Sequence, residues 1–449
     1  LEGDYVRKYP YNTPACDVLG FSVSGNVGAS GLEASYNSTL NGTDGRRYGY
    51  QNEDSAIENT VKEPINGNTI VTTIDANLQS IVEKHLEEFN QAHTDEAQEG
   101  MGFKNGAVIM MNPNTGEVLA CVSYPGYDNN RLSNVMDRSY YVKLSMGMSR
   151  TFYNRATQEK TAPGSTYKML SSVAGLTEGV INGNSYISCS GVFDKITPSP
   201  KCWIYPSAHG SLNVVGALQH SCNDFFYEVG YRLGQDSNGN YDSDTGLEKL
   251  AKYAKMFGFD QTSGIEIPES QPQISDFDSV RSAIGQGTNN YTVSQINRYV
   301  TAVANRGTVY SLSLIDKTTD SNGKLIKDYT PEVVNQMDEI SSSTWDLVHN
   351  GMESMVKSSS TFAGMDISMG GKTGTAQYSK IHADNVLFVG YAPADSPEIS
   401  IAVRIANGYA STYAAEIGRD ITKVYFNPES ADELLQGYAS SLGTAGAGD

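Results

Sequence analysis

The 449-residue chain is short of positive charge, of cysteine and of long apolar runs. Lys and Arg total 32 against 51 Asp and Glu, a formal net charge of −19. Such a field repels phosphate backbones and anionic lipid, so a nucleic-acid partner is excluded. No run of about 18 apolar residues occurs, so the chain as it stands does not span a bilayer. Its five cysteines, Cys16, Cys121, Cys189, Cys202 and Cys222, are too few and odd in number for a disulfide framework. The Asp-rich loop at 233–246 lacks the ligand order and closing Glu of a calcium loop. Internal repeats are also missing. What remains is a globular composition in a chain too long for one ordinary core, which points to two domains, one of them large.

Residues 1–70 are rich in Gly, Asn, Ser and Tyr with no helical period, and read as a small β-rich module of strands and turns. A strand-like run, 69–74, follows. Asp75 then caps a helical pattern carried by Leu78, Ile81, Val82, His85 and Leu86. Apolar runs at 107–111 and 117–123 flank Asn112-Pro113-Asn114-Thr115-Gly116 and predict a hairpin. Runs at 385–391 and 399–405 predict a second. Between the hairpins the pattern is mostly helical, with apolar faces over 169–176 and 293–304. The expectation is an α/β (α+β) domain at 71–436, a central antiparallel sheet covered by helices, followed by a flexible tail at 437–449.

Three short segments carry chemistry. In Pro163-Gly164-Ser165-Thr166-Tyr167-Lys168 the chain breaks just before a helix, which puts Ser165 near the positive helix end and Lys168 one turn on, on the same face. A serine hydroxyl is a weak nucleophile unless a base takes its proton, and a buried lysine can be that base. Ser221-Cys222-Asn223 offers a second hydroxyl for proton relay and an amide for positioning. Gly371-Lys372-Thr373-Gly374-Thr375-Ala376-Gln377 offers a fixed cation, two hydroxyl donors and glycines that admit a close backbone. Each has a bland reading: a capped helix with a solvated lysine, a polar helix start, an ordinary strand.

Together, in this order, they resemble the S-x-x-K, S-D-N and K-T-G set of penicillin-binding proteins and class A β-lactamases, with S-C-N as the middle variant. The likeness reaches further, through Arg7-Lys-Tyr-Pro10, Thr72-Thr-Ile-Asp75, Ser123-Tyr-Pro-Gly-Tyr-Asp128, Ile284-Gly-Gln-Gly287 and Phe388-Val-Gly-Tyr-Ala-Pro393, and so over nearly the whole chain. The chain resembles class B penicillin-binding proteins, and residues 1–70 resemble their linker module. That resemblance implies a transpeptidase/β-lactamase-like fold and a serine D-Ala-D-Ala transpeptidase needing no catalytic cofactor. Its substrates would be peptidoglycan stem peptides, its inhibitors β-lactams. It implies Ser165 as nucleophile, Lys168 as base and Ser221 with Asn223 as relay and positioning groups. Lys372, Thr373, Gly374 and Thr375 would form the carboxylate-binding strand. It also implies an extracytoplasmic site, an N-terminal membrane anchor ahead of Leu1, and a glycan-strand polymerase as partner. A β-lactamase is the first rival, but Glu269-Ser-Gln-Pro-Gln273 has Pro where a water-activating helix is wanted. A non-catalytic β-lactam receptor or wall-assembly scaffold is the second.

Cys189, Cys202, His209 and Cys222 crowd the stretch before and within the second motif. Soft thiolates with one imidazole could hold a structural zinc; a Cys189–Cys202 disulfide and buried free thiols are the alternatives.

Overall fold

Two hairpins from distant parts of the sequence close one sheet. The structure, a computed structural model, describes residues 6–52, 55–93, 105–147, 149–376, 384–408 and 410–431. The tail at 437–449 and Gln377 of the third motif lie outside the described residues. Strands β1 (Gly106–Met111), β2 (Val118–Tyr124), β3 (Gly370–Ala376), β4 (Asn385–Ala392) and β5 (Ile399–Ile405) pair in the order β3-β4-β5-β1-β2. Every neighbour is antiparallel. Gly116 makes the β1–β2 turn possible with φ +83, its N–H bonded to Asn112 O at 3.0 Å. The β5–β1 pairing, from Ser400↔Met111 to Ile405↔Gly106, fuses the hairpins.

Both faces of this sheet are buried, and its residues alternate between two cores. Ala107, Ile109 and Met111 join Leu387, Val389 and Tyr391 in one; Val108 and Met110 join Val386 and Phe388 in the other. Helices α1 (Ala76–Ala92) and α6 (Ser411–Phe426) supply the second core. Helices α2 (Lys168–Thr177), α3 (Asn223–Leu233) and α4 (Val293–Ala304) supply the first, and α5 (Ser342–Ser358) reaches both. Caps fix the helix starts. Asp75 accepts from Asn77 N and Leu78 N, and Thr292 forms a capping box with Gln295.

Before the large unit, 16–40 holds three short helices (Cys16–Leu19, Gly31–Ser35, Asn37–Leu40) where the sequence reading expected strands and turns. Helices of four or five residues are too short for a 3.6-residue period to register. Strands at 22–23 with 27–28, and 46–52 with 55–62, do form antiparallel pairs. Among the described residues no helix is long and apolar enough to cross a membrane.

Candidate active site

Strand β3 lies at the sheet edge, and its outer side meets the turn that leads into α2. Ser165 sits in a 3-10 turn, Gly164–Tyr167, rather than in the first α-helical turn; α2 starts at Lys168. Two glycines allow this turn to be approached so closely. A Cβ on Gly164 (φ +53) would lie 2.4 Å from Thr375 O, and one on Gly285 (φ +75) would lie 2.1 Å from Gly164 O. A strand residue directs its N–H and C=O to the same side, so Thr375 N–H faces this turn together with its carbonyl. The Ser165 turn is further held by Tyr299, whose hydroxyl donates to Thr166 O at 3.2 Å and accepts from Leu170 N at 2.9 Å.

The two lysines of the motifs meet at one hydroxyl. Lys168 Nζ donates to Asn223 Oδ1 at 2.6 Å, Ser221 O at 2.8 Å and Ser221 Oγ at 3.3 Å. Lys372 Nζ donates to the same Ser221 Oγ at 2.9 Å and to Thr373 O at 3.0 Å. Both lysines are fully buried. Burial pushes Lys168 down to about 7, against the opposing pull of Cys222 and Cys202. Lys372 is driven well below its usual range by burial first and by Lys168 second. Ser221 carries φ +53, a left-handed backbone that a non-glycine residue adopts only when its surroundings hold it. Asn223 opens α3, with Cys222 at the N-cap. Thr373 is half-buried and Thr375 exposed on the edge strand, and Ser165 is half-exposed with no hydrogen-bond partner for its hydroxyl among the described residues. Lys168, Ser221, Asn223 and Lys372 thus share one hydrogen-bond network, and the turn that carries Ser165 packs against the edge strand at Thr375. That is the constellation acyl transfer needs.

The thiol cluster adjoins it. Cys189 ends a short strand (Ile187–Cys189) paired with Gly210, which sets it beside His209. Cys189 Sγ and Cys202 Sγ lie 3.5 and 3.6 Å from His209 Nδ1, and the donor atoms of Cys189, Cys202, His209 and Cys222 all fall within 4.8 Å of one another. Zinc–sulfur and zinc–nitrogen bonds of about 2.0–2.3 Å in a tetrahedron put donors roughly 3.5–3.8 Å apart, so this set fits zinc. The Cys222 thiol, donating to Cys202, draws Cys202 down toward the thiolate. All five cysteines are unbridged in this structure.

Two residues at the site carry no motif. Gly285 makes room for the Gly164 carbonyl, a contact distant in sequence that the Ile284-Gly-Gln-Gly287 segment does not announce. Trp203 donates from Nε1 to Ser221 O at 3.1 Å and to His220 O at 3.2 Å, although 62% exposed. Its place between Cys202 and His209 was the available signal.

Residues 106–423 match the family model described as the penicillin binding protein transpeptidase domain. The chain is 27% identical to peptidoglycan D,D-transpeptidase MrdA of Haemophilus influenzae over 458 residues, covering 91% of this chain and 64% of the relative. It is 30% identical to stage V sporulation protein D of Bacillus subtilis over 447 residues, covering 94% and 64%. The chain therefore spans less than two thirds of the length of these relatives. Among solved structures it is similar to Pseudomonas aeruginosa PBP2 in complex with WCK 5153, with a TM-score of 0.77 at 24% identity over 95% of this chain and 92% of that one.

Proposed function

The chain belongs to the penicillin-binding protein transpeptidase family, and from that premise we propose that it cross-links peptidoglycan stem peptides through an acyl-enzyme on Ser165. Ser165 Oγ attacks the carbonyl between the two terminal D-alanines while Lys168, neutral, takes its proton. The C–N bond breaks, and the departing D-Ala amine receives a proton through Ser221. An amine of a second stem peptide then attacks the ester, releasing Ser165 and forming the cross-link. Ser165 and Thr375 backbone N–H groups stabilise the oxyanion. Thr373 and Thr375, with Lys372 Nζ behind them, hold the donor's terminal carboxylate, and Gly374 lets the strand approach. β-Lactams acylate the same hydroxyl.

One observation carries this reading: a single hydroxyl, Ser221 Oγ, lies within hydrogen-bond reach of two buried lysines, one of them depressed to about 7. A protonated Lys168 could not act as base at neutral pH; a depressed one can. The β-lactamase alternative wants a carboxylate poised over the acyl ester. Glu269 instead spends its oxygens on Ser263 N at 2.5 Å, Ser263 Oγ at 2.9 Å, Thr292 Oγ1 at 3.3 Å and the Ser294 hydroxyl. The test is amine exchange. A peptide ending in D-Ala-D-Ala, incubated with an amino-acid acceptor, should release D-Ala and yield the acceptor-linked product. Penicillin binding without exchange would select the receptor or scaffold reading instead.

We further infer that Cys189, Cys202, Cys222 and His209 hold a structural zinc, which would fix the loop before α3; no catalytic step uses it. Protein purified without chelator should contain one zinc per chain, and chelation should lower its melting temperature. Metal-free protein with five titratable thiols selects free thiols, and metal-free protein lacking two of them selects a Cys189–Cys202 disulfide. The proposed site of action is the outer face of the cell membrane, where stem peptides lie, beside a membrane polymerase that makes the glycan strands.

A further inference from the structure

Ser221 is the hinge of the site, and three features of it ask for a restraint. Its φ of +53 is a conformation that costs a non-glycine residue free energy. Its carbonyl already accepts from Lys168 Nζ at 2.8 Å, and its hydroxyl must stay within reach of both Lys168 and Lys372. A small rotation of this one peptide would break all of those contacts together. Backbone bonds from Ser221 N to Leu218 O (3.2 Å) and Cys222 N to Ala217 O (3.0 Å) hold the N–H side of the turn. On the carbonyl side the remaining donor is the indole N–H of Trp203, 3.1 Å from Ser221 O.

An indole 62% exposed gains little from burial, so its body does not explain its place. Its N–H does, because two consecutive carbonyls, of His220 and Ser221, converge on it. Trp203 is itself fixed from both sides of its loop. Cys202 accepts a hydrogen bond from Asn223 N at 3.3 Å, and the His209 ring stands edge-on to the indole at 5.4 Å. We propose that Trp203 is a positioning residue for acyl transfer: its indole N–H clamps the Ser221 carbonyl and so holds the left-handed turn that lets Ser221 Oγ bridge Lys168 and Lys372. Trp203 touches no reacting atom. Its effect falls on the rate of the chemical step and not on how ligand is bound.

This rests on the reading of Ser165 as the acylated residue, and the experiment separates the two. Stopped-flow acylation by a chromogenic cephalosporin resolves the pre-covalent dissociation constant from the acylation rate constant. Trp203→Phe keeps an aromatic ring and loses the donor. It should slow acylation about tenfold, the size of effect one such hydrogen bond commands. The dissociation constant should stay within twofold and the melting temperature within a degree or two. Tyr205→Ala, at another exposed aromatic of the same loop, serves as control and should acylate at the wild-type rate. Wild-type acylation by Trp203→Phe overturns the clamp. So does a loss in which binding and melting temperature fall along with the rate, since that is merely structural damage. Failure of the wild-type protein to be acylated at all sinks the parent reading instead.

Discussion

Burial does the chemical work at Lys168. A lysine in water would be protonated at neutral pH; removed from water, and facing Asn223 Oδ1 and Ser221 rather than a carboxylate, it is held near 7. The neutral amine is the base, so acylation should rise with pH through about 7 and level above it, falling about tenfold per unit on the acid side. The rate of penicillin acylation between pH 5.5 and 9 checks this, and a flat profile contradicts it. Lys168→Met should cost about 10²–10⁴ in that rate with the fold intact by circular dichroism. Ser165, Lys168, Ser221, Asn223 and Lys372 stand out in the sequence because each occupies a fixed place in a short motif. The shared hydroxyl between the two lysines does not. It arises from the left-handed turn at Ser221, and nothing in Ser221-Cys222-Asn223 announces a positive φ.

At the scale of elements, the site depends on how near a strand edge, a helix-leading turn and the 284–287 loop can come. Hydrophobic periodicity named the strands of the two hairpins and the helices α1, α2 and α4, because each repeats its pattern over enough residues to register; it did not single out α3, α5 or α6. It was silent on the 3-10 turn that carries Ser165 and on the short helices of 16–40. It could not show that Gly285 abuts Gly164, since that contact joins residues far apart in sequence. Gly285→Ala puts a methyl 2.1 Å from a backbone oxygen at a positive φ, so the turn must shift. We expect about 1–3 kcal/mol of destabilisation, read as a lowered urea midpoint, and acylation reduced by more than tenfold. Gly323→Ala also sits at positive φ, in an exposed turn where a Cβ meets nothing, and should leave acylation unchanged.

At the scale of the whole molecule, the N-terminal segment is tied to the large unit by half-buried acids. Glu83 of α1 accepts from Ala15 N at 2.7 Å and Gln79 Nε2 at 2.6 Å, and burial pushes it up to about 8. Burial likewise pushes Asp17 up to about 7, and its Oδ2 has no hydrogen-bond partner among the described residues. A carboxyl whose folded value lies above its unfolded value of about 4 favours the uncharged form in the fold, so its stabilising effect is lost as pH rises through 7 and 8. Carboxylates held low, such as Asp420 beside His85 and Arg419, add stability that is already complete above pH 5. The melting temperature should therefore fall between pH 5.5 and 8.5, and Asp17→Asn with Glu83→Gln should remove most of that fall. A melting temperature that rises over this range contradicts the assignment.

The acylated hydroxyl is the claim on which the proposed chemistry stands, and intact-mass measurement after incubation with a penicillin reads it directly. The expected result is one covalent adduct of the drug's mass on the wild-type protein and none on Ser165→Ala. No adduct on the folded wild-type protein, or an adduct that survives the Ser165→Ala substitution, contradicts it.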